Sequence, residues 1–131
     1  MKRTGILHRD LSALIASLGH TDVICVADAG LPIPEGVTRI DLALECGVTP
    51  FLATVRAIMA EVVVERAVVA AEMPGRNAAC YDALRTMLAG LPLDQLPHEQ
   101  FKARLPRVRA VIRTGECSPF ANVLLQSGVA F

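Results

Sequence analysis

The sequence predicts an α/β fold: a three-layer α/β/α sandwich around a central mixed, mostly parallel sheet. Three observations predict it. Segments with helical apolar spacing alternate along the chain with short β-branched apolar runs. The run Val23-Ile24-Cys25-Val26-Ala27 is continuously apolar rather than alternating, the pattern of a strand covered on both faces. And 131 residues are enough for a real core, since a chain near this size buries roughly 65–70% of its unfolded surface. One domain over 1–131 is expected.

The elements follow in order. Asp10 is placed to cap a helix whose apolar face is Leu11, Leu14, Ile15 and Leu18. Gly19 suits the left-handed residue that ends it. After the strand Val23–Ala27 comes Ala29-Gly30-Leu31-Pro32-Ile33-Pro34-Glu35-Gly36, where two prolines and two glycines make a rigid loop. Residues 37–44 alternate and hold a short strand. Thr49-Pro50 reads as a cap with proline at the first helical position, with the helix running to about residue 60. Residues 61–72 (EVVVERAVVAAE) are β-branched and apolar, hence a strand. Pro74-Gly75 is a turn. Asn77 caps a helix carrying Tyr81, Leu84, Met87 and Leu88, ended by Gly90. Residues 90–97 read as a short apolar connection and 97–103 as a short helix or turn. Strands over 110–113 and 122–125 flank the loop Gly115-Glu116-Cys117-Ser118-Pro119.

Composition narrows the function. The apolar share is 53% without glycine, above the usual ~45–50% that includes it, and the mean hydropathy is +0.45. With few aromatics the core is aliphatic, and the excess predicts a covered subunit interface. Thirteen basic residues balance thirteen acidic ones, so no nucleic-acid partner is expected. The densest basic patch, Lys102, Arg104, Arg107, Arg109 and Arg113, is flanked by Glu99 and Glu116 and reads as a solvated face. No secretory signal or membrane span is evident, which makes the cytoplasm the expected compartment. The four cysteines, at 25, 46, 80 and 117, include no Cys-x-x-Cys pair and read as reduced, buried small hydrophobes.

Cofactor motifs are missing. His98-Glu99 begins like a zinc motif, but position 102 is lysine. There is no phosphate loop and no Gly-x-Ser-x-Gly elbow. A scattered polar set at loop edges remains. His20 follows a helix end, where it either caps the last carbonyls or carries protons. Asp28 ends the buried strand, where α/β sheets present ligand sites, although it could equally brace the Gly30-Pro32 loop through an Asx turn. His98 and Lys102 share a helix face at a spacing of four. Asn122 opens the last strand. Two histidines and a carboxylate without metal spacing point to general acid–base work.

The stretches LGHTD (18–22), DAGLPIP (28–34), TRIDLAL (38–44), HEQFK (98–102) and GECSPFANVLL (115–125) resemble the D-ribose pyranase family, which also contains the L-fucose mutarotases. The resemblance is collinear and covers nearly the whole chain. Gly30 after Asp28-Ala29 favours the ribose branch. The resemblance implies a cofactor-free isomerase that interconverts β-D-ribopyranose and β-D-ribofuranose. His20 would be the proton donor. Asp28, His98, Lys102 and the segment Phe120, Ala121, Asn122 would bind the sugar. No metal or cofactor would take part. The family's ring-like oligomers, commonly decamers, imply sites near subunit contacts. One departure stands out: the family's usual tyrosine in Ser-Pro-Tyr-Ala-Asn is Phe120 here. That keeps two alternatives open, a mutarotase for another aldose such as an L-fucose-like sugar, and a non-catalytic sugar-binding oligomer.

Spacing raises one more expectation. At ~3.3 Å per residue, an extended run from 21 to 27 would hold His20 and Asp28 some 25 Å apart. Either the chain turns at Thr21-Asp22, or His20 of one subunit completes the pocket around Asp28 of a neighbour, and the second is the expectation.

Overall fold

Six strands form one sheet in a computed structural model that describes residues 1–131. In chain order the elements are α1 (Arg9–Ser17), β1 (Val23–Ala27), β2 (Arg39–Asp41), α2 (Phe51–Met59), β3 (Val64–Ala70), α3 (Met73–Arg76), α4 (Ala78–Met87), β4 (Leu93–Leu96), α5 (His98–Arg104), β5 (Val111–Arg113) and β6 (Val123–Ser127), with a 3-10 turn at Leu105–Arg107. The sheet order is β2-β5-β1-β6-β3-β4. β2, β5 and β1 pair in parallel, as do β3 and β4. β6 runs antiparallel to both β1 and β3, so five strands share one direction and only β6 opposes them. The expected α/β sandwich with a mixed, mostly parallel sheet is present.

Side-chain alternation builds the layers. Ile24 and Val26 of β1, Ala67 and Val69 of β3, Ile112 of β5, and Val123 and Leu125 of β6 join a cluster with Leu11, Phe51, Val55, Ile58, Leu84 and Leu88 from the helices on one face. Cys25, Ala27, Val68, Val111 and Leu124 face the other way, onto Leu31, Phe101 and Leu105. This is why Val23–Ala27 is apolar without alternation: both of its faces are covered.

Several local expectations are corrected. The α1 cap is His8, whose Nδ1 accepts from the Leu11 amide at 3.3 Å; Asp10 already lies inside the first turn and pairs with Arg9. Thr21, not Gly19, takes the left-handed backbone, with φ 69°, and the Asp22 carboxylate accepts from Gly19 N. Thr49 has φ 57°, which leaves Pro50 as the cap of α2. Pro74 and Gly75 sit within the single turn α3 rather than in a loop. The connection 90–97 contains an edge strand, β4, with half-exposed ends and exposed middle residues. Nor are all four cysteines free. Cys46 and Cys117 are joined, with Cα atoms 5.8 Å apart, because the 42–49 loop folds onto the segment after β5. Cys25 and Cys80 are free and buried. Burial pushes the Cys80 thiol up to about 11 and the Cys25 thiol higher still.

Candidate active site

The cavity that concerns function lies at the carboxyl ends of β1 and β5, where an α/β sheet presents ligand sites. Its volume is about 520 Å³, and its walls include Asp28, the Gly30-Leu31-Pro32 turn, His98, Glu116, Phe120 and Asn122.

Asp28 is the first residue beyond β1, held from two sides. Its Oδ1 accepts from Gly30 N at 3.0 Å, which is the Asx turn that the loop sequence suggests. Its Oδ2 accepts from Asn122 Nδ2 at 2.8 Å, while Asn122 Oδ1 accepts from Asp28 N at 2.9 Å. Asn122 is almost wholly buried. A carboxylate has about four lone-pair directions, so two acceptor positions on Asp28 are free for hydroxyl groups.

The opposite wall is built by a tight chain path. Phe120 has φ 57°, and the Phe120 carbonyl accepts from Asn122 N at 2.8 Å. Asn77 holds the cap position of α4, but its side chain makes no capping bond, contrary to the expectation from sequence. Its Nδ2 instead donates to Ser118 Oγ (2.8 Å) and to the Pro119 carbonyl (2.9 Å), bracing the segment that presents Phe120. The Glu116 carboxylate accepts from Ser118 N at 3.1 Å, and the Glu116 carbonyl accepts from Ala29 N, which ties the two cavity walls together.

His98 opens α5. Its ring meets Phe120 edge-on at 5.1 Å between centroids and lies nearly parallel to the Phe101 ring at 6.2 Å. Nδ1 is buried without a partner. A buried N–H without an acceptor is the costlier arrangement, so a neutral ring places its proton on Nε2.

Four of the seven residues expected from sequence therefore share one cavity: Asp28, His98, Phe120 and Asn122. Ala121 lies between two of them but is fully buried in the helix-side core. Lys102 is outside the cavity wall, and its Nζ pairs with Glu99 at 2.7 Å. His20 is also outside. The chain does turn at Thr21, yet His20 stays at the start of β1, at the far end from Asp28. There its Nε2 meets Glu65 Oε2 at 3.1 Å. The Glu65 carboxyl is held below its usual value, first by the Gln126 amide and then by His20. Sequence reasoning missed Glu116, Asn77 and Ser118 as parts of the site. Glu116 carried a signal, a carboxylate just after a strand end; the Asn77 contacts cross 41 and 42 residues and carried none. No group of three or more His, Cys, Asp or Glu side chains is arranged to hold a metal ion.

Comparison with known proteins assigns the relationship. The D-ribose pyranase of Laribacter hongkongensis (strain HLHK9) is 53% identical over 131 residues, covering both chains completely. A solved structure of Bacillus subtilis RbsD complexed with D-ribose superposes with a TM-score of 0.97 at 44% identity, over 100% of each chain. The fucose mutarotase of Streptococcus pneumoniae, solved with L-fucose, matches at TM-score 0.82 over 95% of each chain, but at 22% identity it shares the fold alone. The model of the RbsD / FucU transport protein family matches residues 1–130, and the chain belongs to that family.

Proposed function

We propose that this chain is a D-ribose pyranase, an isomerase that interconverts β-D-ribopyranose and β-D-ribofuranose. The observation that carries the reading is the cavity itself. It sets an anchored carboxylate (Asp28), an imidazole (His98) and an aromatic face (Phe120) around a space that takes a pentose, in a chain about half identical to proteins of that name.

The reaction needs what these groups offer. Opening a hemiacetal delivers a proton to the ring oxygen and removes one from the anomeric hydroxyl. The open chain then rotates, and a different hydroxyl closes on the aldehyde. Each positioned acid or base contributes about 10²–10⁴-fold. Asp28 accepts from sugar hydroxyls, and Nε2 of a neutral His98 donates to a sugar oxygen. Phe120 covers an apolar sugar face. Asn122 acts by holding Asp28.

The proton donor is His20, supplied by a neighbouring subunit. Two observations support this. His20 is half exposed at the opposite end of β1 from the cavity. The same corner also exposes apolar side chains: Val63 is 46% and Val129 39% accessible, and Gly128 N donates to the Val63 carbonyl. Apolar groups there suit a covered face. The assembly is a homo-oligomer, a decamer by family resemblance, with each subunit one domain over 1–131. No helix is long and apolar enough to cross a membrane, and the proposed compartment is the cytoplasm.

Saturation-transfer NMR on equilibrated ribose tests the reading. Added protein is expected to speed pyranose–furanose exchange, and H20A to abolish most of that gain. No acceleration by the wild-type protein would overturn it. Phe120, which has no hydroxyl, favours one second reading, a mutarotase for another aldose. The same measurement on fucose and galactose separates the two.

A further inference from the structure

The amide of His98 is the first N–H of α5, and the residue before it cannot satisfy it. Pro97 is the cap position and makes no side-chain capping bond. The amide donates instead to a carboxylate 26 residues earlier: Glu72, with Oε1 at 3.1 Å and Oε2 at 3.0 Å. Glu72 stands just beyond β3 and just before α3, where its own carbonyl accepts from Arg76 N. It therefore joins the end of the sheet to the start of the helix that bears His98.

We infer that Glu72 is a positioning residue for the isomerisation: its carboxylate fixes the first residue of α5, and with it the His98 ring in the sugar cavity. The geometry supports this. The buried Nδ1 of the His98 ring has no hydrogen-bond partner, and the ring packs against Phe101 and Phe120. Its place in the cavity thus depends on where its backbone is fixed.

The inference takes the ligand from the pyranase reading, and its test separates the two. Isotope-edited NMR follows the contacts of the His98 ring with Phe120 in wild type and E72Q, and calorimetry follows ribose binding in wild type, E72A, E72Q and E72D. The ring contacts between His98 and Phe120 are expected to be lost or weakened in E72Q. Ribose affinity is expected to fall about tenfold in E72A, less in E72Q, and to recover partly in E72D. If E72A does not fold, E72Q and E72D carry the comparison. Unchanged His98–Phe120 contacts in E72Q, or unchanged ribose affinity across the series, would overturn the inference. If wild type binds ribose without speeding its exchange, the isomerase reading fails while the His98 ring contacts still decide the role of Glu72.

Discussion

Asp28 and Asn122 exchange two hydrogen bonds across 94 residues of sequence, backbone amide to side-chain oxygen and side-chain amide to carboxylate. The pairing fixes the Asn122 amide orientation and holds one carboxylate oxygen of Asp28 toward β6. N122A removes both bonds and leaves the Asp28 amide without its acceptor. It is expected to destabilise the fold by about 1–3 kcal/mol and to weaken ribose binding at least tenfold. Denaturant unfolding and calorimetry on the same preparation check both.

The Asp28–Asn122 pair also marks how far the sequence could be read. Asp28 was legible because it ends an apolar strand, and strand ends in α/β sheets hold ligands. His98 was legible as one of only three histidines, on a short helical segment. The partners that position them were not. Asn122 to Asp28, Glu72 to His98 and Cys46 to Cys117 join residues 94, 26 and 71 apart. No local periodicity reports such contacts. β4 was missed for a different reason: as a four-residue edge strand with only its ends half-covered, it lacks the apolar run that exposed β1. The displaced caps at His8, Leu18 and Pro50 are the ordinary cost of placing helix ends from residue preference.

Gly115 is predicted to be irreplaceable. A β-carbon there would overlap the Val48 carbonyl oxygen and come within 2.8 Å of the Glu45 carbonyl oxygen. Both are backbone atoms of the loop that packs against the 115–117 segment. That loop is bound in both directions, Gly47 N to Gly115 O and Gly115 N to Thr49 O. G115A should cost about 3 kcal/mol and displace Glu116 from the cavity wall. Thermal melts measure the first effect and ribose affinity the second.

Phe120 carries the specificity prediction. Its ring lines the cavity and abuts His98 but has no hydroxyl. F120Y adds one polar group beside the bound sugar. A gained hydrogen bond of about 0.5–1.5 kcal/mol lowers the KM for ribose up to about tenfold. An unchanged or raised KM would mean that the hydroxyl finds no sugar oxygen, and would favour another aldose as substrate.

Acid should expose the contribution of Glu72. Its carboxyl is held below the usual value, first by the His98 amide. A depressed folded value stabilises the protein above the unfolded value of about 4.3 and loses that effect as pH falls through the folded value. E72Q has no such group to protonate. The melting-temperature gap between wild type and E72Q should therefore be widest near neutral pH and close below about pH 4. A constant gap down to pH 3 would contradict this.

Mixing two inactive variants tests whether the site is shared between subunits. His20 is half exposed and far along β1 from Asp28, so H20A should fold normally, melting within about 3 °C of wild type. Its exchange rate should nonetheless fall by about 10²–10⁴-fold if His20 delivers the proton. D28N should also be inactive, because it loses the carboxylate that faces the sugar. In an oligomer whose cavities each take His20 from one chain and Asp28 from the next, random assembly of the two variants leaves roughly one cavity in four with both native residues. Unfolding and refolding an equimolar mixture should then restore roughly a quarter of wild-type exchange, while each variant refolded alone stays inactive. If His20 served the cavity of its own chain, every cavity in the mixture would lack one of the two groups, and no activity would return.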